Sequence, residues 1–137
     1  MAAYISVRLR RQIEQDAGHR CGYCLSSIRI TGTPLDAEHS IPVARGGKTA
    51  RENLWQACHH CNRFKSDRTH APDPLTPLFN PRTQVWDEHF RWSRDGTEIL
   101  GLTAIGRATV VALQMNNEYV VESRRFWVIA GWHPPLD

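Results

Sequence analysis

Two Cys-x-x-Cys steps constrain this chain more than any other feature. Cys21 and Cys24 form the first, Cys58 and Cys61 the second, and 33 residues separate Cys24 from Cys58. Each step makes a tight knuckle that presents two thiolates, and two knuckles supply the four soft ligands of a tetrahedral zinc. In a reducing compartment two close cysteine pairs fit a metal site better than two disulfides. A four-thiolate shell keeps no open position, so this zinc is expected to be structural, clamping a span with little core of its own. His59 and His60 lie inside the second knuckle and read as solvated residues, since Cys58 and Cys61 complete the set.

At 137 residues, 41% hydrophobic and 23% charged, the chain has one domain's worth of material. No apolar run approaches the roughly 20 residues of a membrane helix. Residues 1–11 are basic but lack the apolar stretch of a signal peptide, so a cytoplasmic location is expected. The formal charge of +3 is a weak argument for an acidic partner, because four thiolates on one zinc bring it down to about +1. Local charge must carry that argument.

Ser6 is placed to cap a first helix with an apolar stripe at Leu9, Ile13 and Ala17, stopped by Gly18. Residues 25–37 read as short strands or an irregular hairpin. Gly46 and Gly47 mark a loop, residues 50–54 a short helical turn, and residues 62–68 a helix after the second knuckle. Four prolines in residues 72–81 argue for an extended connector without regular structure. Trp86, Phe90 and Trp92 alternate at period 2, as in a strand, with a hairpin turn at Arg94-Asp95-Gly96. Thr103 and Asn117 are placed to cap two final helices. The expected fold class is α+β: a module over residues 1–71, with a hairpin and two helices over 72–137 packed on it as one globular unit.

Glu38-His39 sits between the knuckles. Histidine near its ordinary pKa suits deprotonation of water, and a carboxylate with an amide carbonyl suits a hard, magnesium-like ion that keeps several waters. Adjacent strand residues point to opposite faces, so a local distortion is needed for both to address one phosphate, and Pro42 fits an ending strand.

Glu38-His39-Ser40-Ile41-Pro42, Gly46-Gly47, Asn53-Leu54 and Cys58-x-x-Cys61-Asn62-x-x-Lys65, in this order, resemble the HNH endonuclease superfamily over about residues 18–70. The segment from Asn62 to Asp67 is similar to that of the HNH domain in RNA-guided CRISPR effectors. Glutamate replaces the commoner aspartate before the histidine, and asparagine stands where many members have a last histidine. The resemblance implies a ββα-metal (His-Me finger) core. It implies His39 as general base, Glu38 and Asn62 as ligands of a catalytic magnesium or manganese, and Asn53 as a brace for the loop. It also implies hydrolysis of DNA phosphodiester bonds, by nicking or double-strand cleavage, leaving 5′-phosphate and 3′-hydroxyl ends. RNA is the alternative substrate. Arg45, Lys48, Arg63, Lys65 and Arg68 surround these residues and are expected to meet phosphates. The competing reading is a zinc-ribbon-like nucleic-acid-binding module without catalysis.

Overall fold

The computed structural model describes residues 4–72 and 75–135. Helix α1 spans Val7–Asp16, with the Ser6 hydroxyl accepting from the Leu9 amide at 3.1 Å and Ile13 buried. The first knuckle follows. Gly22 is required there: a Cβ would stand 2.4 Å from the Trp55 ring.

Within residues 25–37 a helical turn stands where short strands or a hairpin were expected, and only residues 36–37 are extended, as the start of a strand. Helix α2, Ile28–Thr31, is capped by the Ser27 hydroxyl and ended by Gly32 at φ +68°. That pairing of a serine cap with a left-handed glycine outweighs the β-branched residues between them. Strand β1, Asp36–His39, pairs antiparallel with β2, Leu54–Ala57, with Glu38 opposite Trp55 and His39 opposite Leu54. The loop between them holds short 3₁₀ turns at Val43–Arg45 and Arg51–Asn53. Helix α3, His59–Lys65, begins inside the second knuckle and ends earlier than expected. Cys58 acts as its N-cap, its Sγ accepting from the Cys61 amide at 3.4 Å.

The proline-rich stretch is not wholly irregular. Strands β3, His70–Pro72, and β4, Leu75–Pro77, pair antiparallel. A two-stranded sheet is all edge, so its prolines need not break a ladder. The expected aromatic strand is corrected too. Helix α4, Trp86–His89, is a single turn, and only β5, Phe90–Trp92, is extended, pairing with β6, Ile99–Gly101. Trp86 nevertheless reaches Phe90 and Trp92, at ring-centroid distances of 5.2 and 5.5 Å, through the helical turn instead of strand alternation. Helices α5, Ala104–Ala112, and α6, Glu118–Ile129, start at the Thr103 and Asn117 side-chain caps.

The fold is thus mixed α and β, with three two-stranded antiparallel sheets among the described residues. One core joins both halves of the chain. Cys21, Tyr23, Cys24, Ala57 and Cys61 pack in the same buried cluster as Phe79, Phe90, Ile99, Leu113 and Met115. Arg82 adds a polar seam: it donates to Asp16 and to the Leu54 carbonyl and lies 4.5 Å over the Trp55 ring.

Candidate active site and zinc clamp

The two knuckles converge. One ligand atom from each of Cys21, Cys24, Cys58 and Cys61 lies within 4.8 Å of the others, and the Cys24 and Cys58 sulfurs are 3.7 Å apart. Four sulfurs on a zinc at about 2.3 Å stand about 3.8 Å from one another, so the spacing fits that ion. None of the four forms a disulfide. Without an ion the thiols share protons unevenly. Hydrogen bonds from Cys21, Cys58 and Cys61 pull the Cys24 pKa far down, while burial holds Cys21 up and the bond with Cys21 holds Cys61 up.

His39 ends β1 and is half-buried. Its Nε2 lies 3.0 Å from the Thr49 hydroxyl. Burial lowers its pKa below the ordinary 6.5, with the Lys65 charge adding to this and the Glu38 charge opposing it. The ring is therefore neutral at neutral pH, the state a base requires.

The loop that carries Thr49 is fixed by Asn53. The Asn53 amide donates to the Ile41 and Lys48 carbonyls at 2.9 Å each, and its oxygen accepts from the Ile41 amide at 2.8 Å. The two glycines allow this closure for different reasons. Gly46 adopts φ +86°, while a Cβ on Gly47 would lie 1.7 Å from the Ile41 carbonyl oxygen.

Glu38 is 5% exposed. Its Oε2 accepts from the Tyr23 hydroxyl at 2.8 Å, and its Oε1 faces the Lys65 ammonium at 2.7 Å. That second approach is a charge contact and not an aligned hydrogen bond, since Oε1 has no hydrogen-bond partner. One turn earlier on α3, the Asn62 amide donates to Asp36 at 3.2 Å, and His59 lies 2.7 Å from the same Asp36 oxygen. The β1–α3 seam therefore pairs Glu38 with Lys65 and Asp36 with Asn62. Asp36 carries one signal in the sequence, its position two residues before Glu38 on a strand. Tyr23 and Thr49 gave no such signal.

Two basic residues are withdrawn from the expected phosphate-facing surface. Lys65 is 3% exposed because it neutralises Glu38. Arg68 folds back onto the Phe64, Lys65 and Ala112 carbonyls. Arg45, Lys48 and Arg63 remain exposed, and Arg45 donates to the Asp67 carbonyl at 2.9 Å. His60 is not solvated: its Nε2 lies 2.9 Å from the Leu113 carbonyl and its ring 4.7 Å from that of Phe64.

Residues 21–68 match the family model described as HNH endonuclease. The match contains both knuckles, Glu38-His39, Asn53 and Asn62. It points to a nuclease or nucleic-acid-related function. No curated protein and no solved structure matches the chain. No helix among the described residues is long and apolar enough to cross a membrane.

Proposed function

We propose that the chain is a metal-dependent HNH endonuclease acting on DNA, with β1, β2 and α3 as its ββα-metal core. The observation that carries this reading is the family match over residues 21–68, which encloses a neutral histidine anchored on Thr49. In the tautomer that donates Nε2–H to the Thr49 hydroxyl, 3.0 Å away, the lone pair of His39 lies on Nδ1. That atom takes the proton as water attacks phosphorus. The new O–P bond forms, the P–O3′ bond breaks, and solvent protonates the leaving oxygen.

Glu38 and Asn62 would hold the catalytic ion. Their hard oxygens suit magnesium or manganese, and an ion at Glu38 Oε1 would take the place of the Lys65 ammonium that now stands 2.7 Å from it. Such an ion, when bound, supplies charge that holds the phosphate and offsets the leaving oxygen. Asn53 keeps the loop, and with it Thr49, at a fixed distance from the histidine. Arg45, Lys48 and Arg63 supply backbone contacts without sequence information.

One observation favours the non-catalytic zinc-ribbon reading. Glu38 and Asn62 make their contacts with Lys65 and Asp36, not with each other. A plasmid-nicking assay decides between the two, run with and without magnesium or manganese and repeated on single-stranded RNA. Metal-dependent nicking by the wild type should fall roughly 10²–10⁴-fold in His39→Ala, with zinc content and melting temperature preserved. DNA retention without cleavage under every metal condition would establish the binding module instead.

A further inference from the structure

The zinc clamp poses a charge problem that residues 21–68 meet with neutral donors, the Tyr23 amide on Cys21 Sγ and the Cys61 amide on Cys58 Sγ at 3.4 Å each. Four thiolates on a divalent zinc carry a net charge of −2. Cys21 and Cys61 are fully buried and Cys24 is 5% exposed, and burying uncompensated charge is costly.

Arg124, on α6, is the largest fully buried side chain among the described residues. Its Nη1 donates to the Thr97 carbonyl at 2.9 Å and to the Asn116 side-chain oxygen at 3.2 Å, and its Nη2 donates to the Met115 carbonyl at 2.8 Å. The guanidinium lies 5.3 Å over the Trp92 ring, and its Nε has no hydrogen-bond partner. All these partners are neutral, and among the described residues no carboxylate reaches it as an ion pair. A buried guanidinium without a paired anion is as unusual as a buried dianion without a cation. The two share a wall. One cavity of about 330 Å³ is lined both by Arg124 and by Cys24, Cys58 and Cys61. Burial pulls the Arg124 pKa down, and the charges of Cys24, Cys61 and Cys58, followed by that of Glu98, oppose that pull.

We infer that Arg124 is the counter-cation of the zinc tetrathiolate, held by the C-terminal half to neutralise part of its charge and set its affinity and reactivity. Arg124 is a positioning residue and not a ligand. The turn before β6 and the segment before α6 hold its fork through Thr97, Met115 and Asn116, so residues 72–137 complete a metal site whose ligands all lie before residue 62. This role is independent of whether His39 cleaves anything.

The test uses zinc-loaded full-length chain carrying Arg124→Met, Arg124→Gln or Arg124→Lys. Zinc affinity is read by competition with a chromogenic chelator, thiolate reactivity by the rate of iodoacetamide alkylation, and fold by circular dichroism. The neutral variants should bind zinc about 10–100-fold more weakly, the range for outer partners of a metal site, and should be alkylated faster. Arg124→Lys should restore most of both. Wild-type affinity and alkylation rate in a folded neutral variant would overturn the inference. If neither neutral variant folds, Arg124→Lys decides: near-wild-type affinity sustains a charge role, and a large loss assigns Arg124 to packing alone.

Discussion

Replacing Lys65 by methionine tests the seam at its most buried point. Side chains of Lys65 and Glu38 are 3% and 4% exposed, with nitrogen and oxygen 2.7 Å apart. At that distance the gross attraction is about 6 kcal/mol for an effective dielectric near 20, most of it offset by the desolvation of both groups. Removing one partner is different, because it leaves a buried carboxylate with only the Tyr23 hydroxyl as donor. Lys65→Met should therefore cost about 3–5 kcal/mol, a large part of a small domain's stability. Adding Glu38→Leu should recover much of the loss, since a buried pair replaced by apolar groups is often neutral. Denaturant unfolding of the four proteins of this cycle gives the coupling directly. A cost below about 1 kcal/mol, the range of exposed pairs, would show that Glu38 and Lys65 do not meet in solution. Manganese adds a functional arm: if Glu38 holds the ion, the metal should raise the melting temperature of Lys65→Met more than that of wild type. Equal shifts would separate Glu38 from the metal.

Much of this geometry was legible because it rests on spacing. The two knuckles and the caps at Ser6, Thr103 and Asn117 each need only a residue type at a fixed offset, and all three caps form. What escaped depends on partners far along the chain. The Lys65 charge reads as a surface group until Glu38, 27 residues away, is seen beneath it. Arg68 finds Ala112 on another helix. Trp86, Phe90 and Trp92 illustrate a wrong period with a correct outcome: the aromatics do pack together, but a helical turn brings Trp86 to the others. In residues 28–31 a capping serine and a left-handed glycine prevailed over strand propensity, which is weak in so short a segment.

Three further outcomes follow from particular contacts. Asp16, gripped by Arg51 and Arg82, has its pKa pulled down to about 2 by the Arg51 hydrogen bond first, with Arg82 adding to it. A depressed carboxylate stabilises the fold above its unfolded value near 3.8 and loses that contribution as pH falls through about 2, so Asp16→Asn should be less stable than wild type at pH 7 and converge with it near pH 2. Gly47→Ala should cost roughly 1–3 kcal/mol and impair nicking, because its Cβ must displace the Ile41 carbonyl; a melting curve and nicking rate matching wild type would mean the loop closes differently. Zinc removal should reach well beyond the knuckles. Structural zinc supplies on the order of 10–16 kcal/mol of binding energy, comparable to or above the roughly 5–15 kcal/mol that holds a domain together. Three of its ligands are packed in one cluster with Phe79, Phe90, Ile99, Leu113 and Met115. Chelation should therefore abolish the near-ultraviolet signal of Trp86 and Trp92 in the same transition that unfolds residues 18–70. If that signal and the helicity of α5 and α6 survived in the zinc-free chain, the C-terminal half would be a separate folding unit, and the shared core would not be what joins the two.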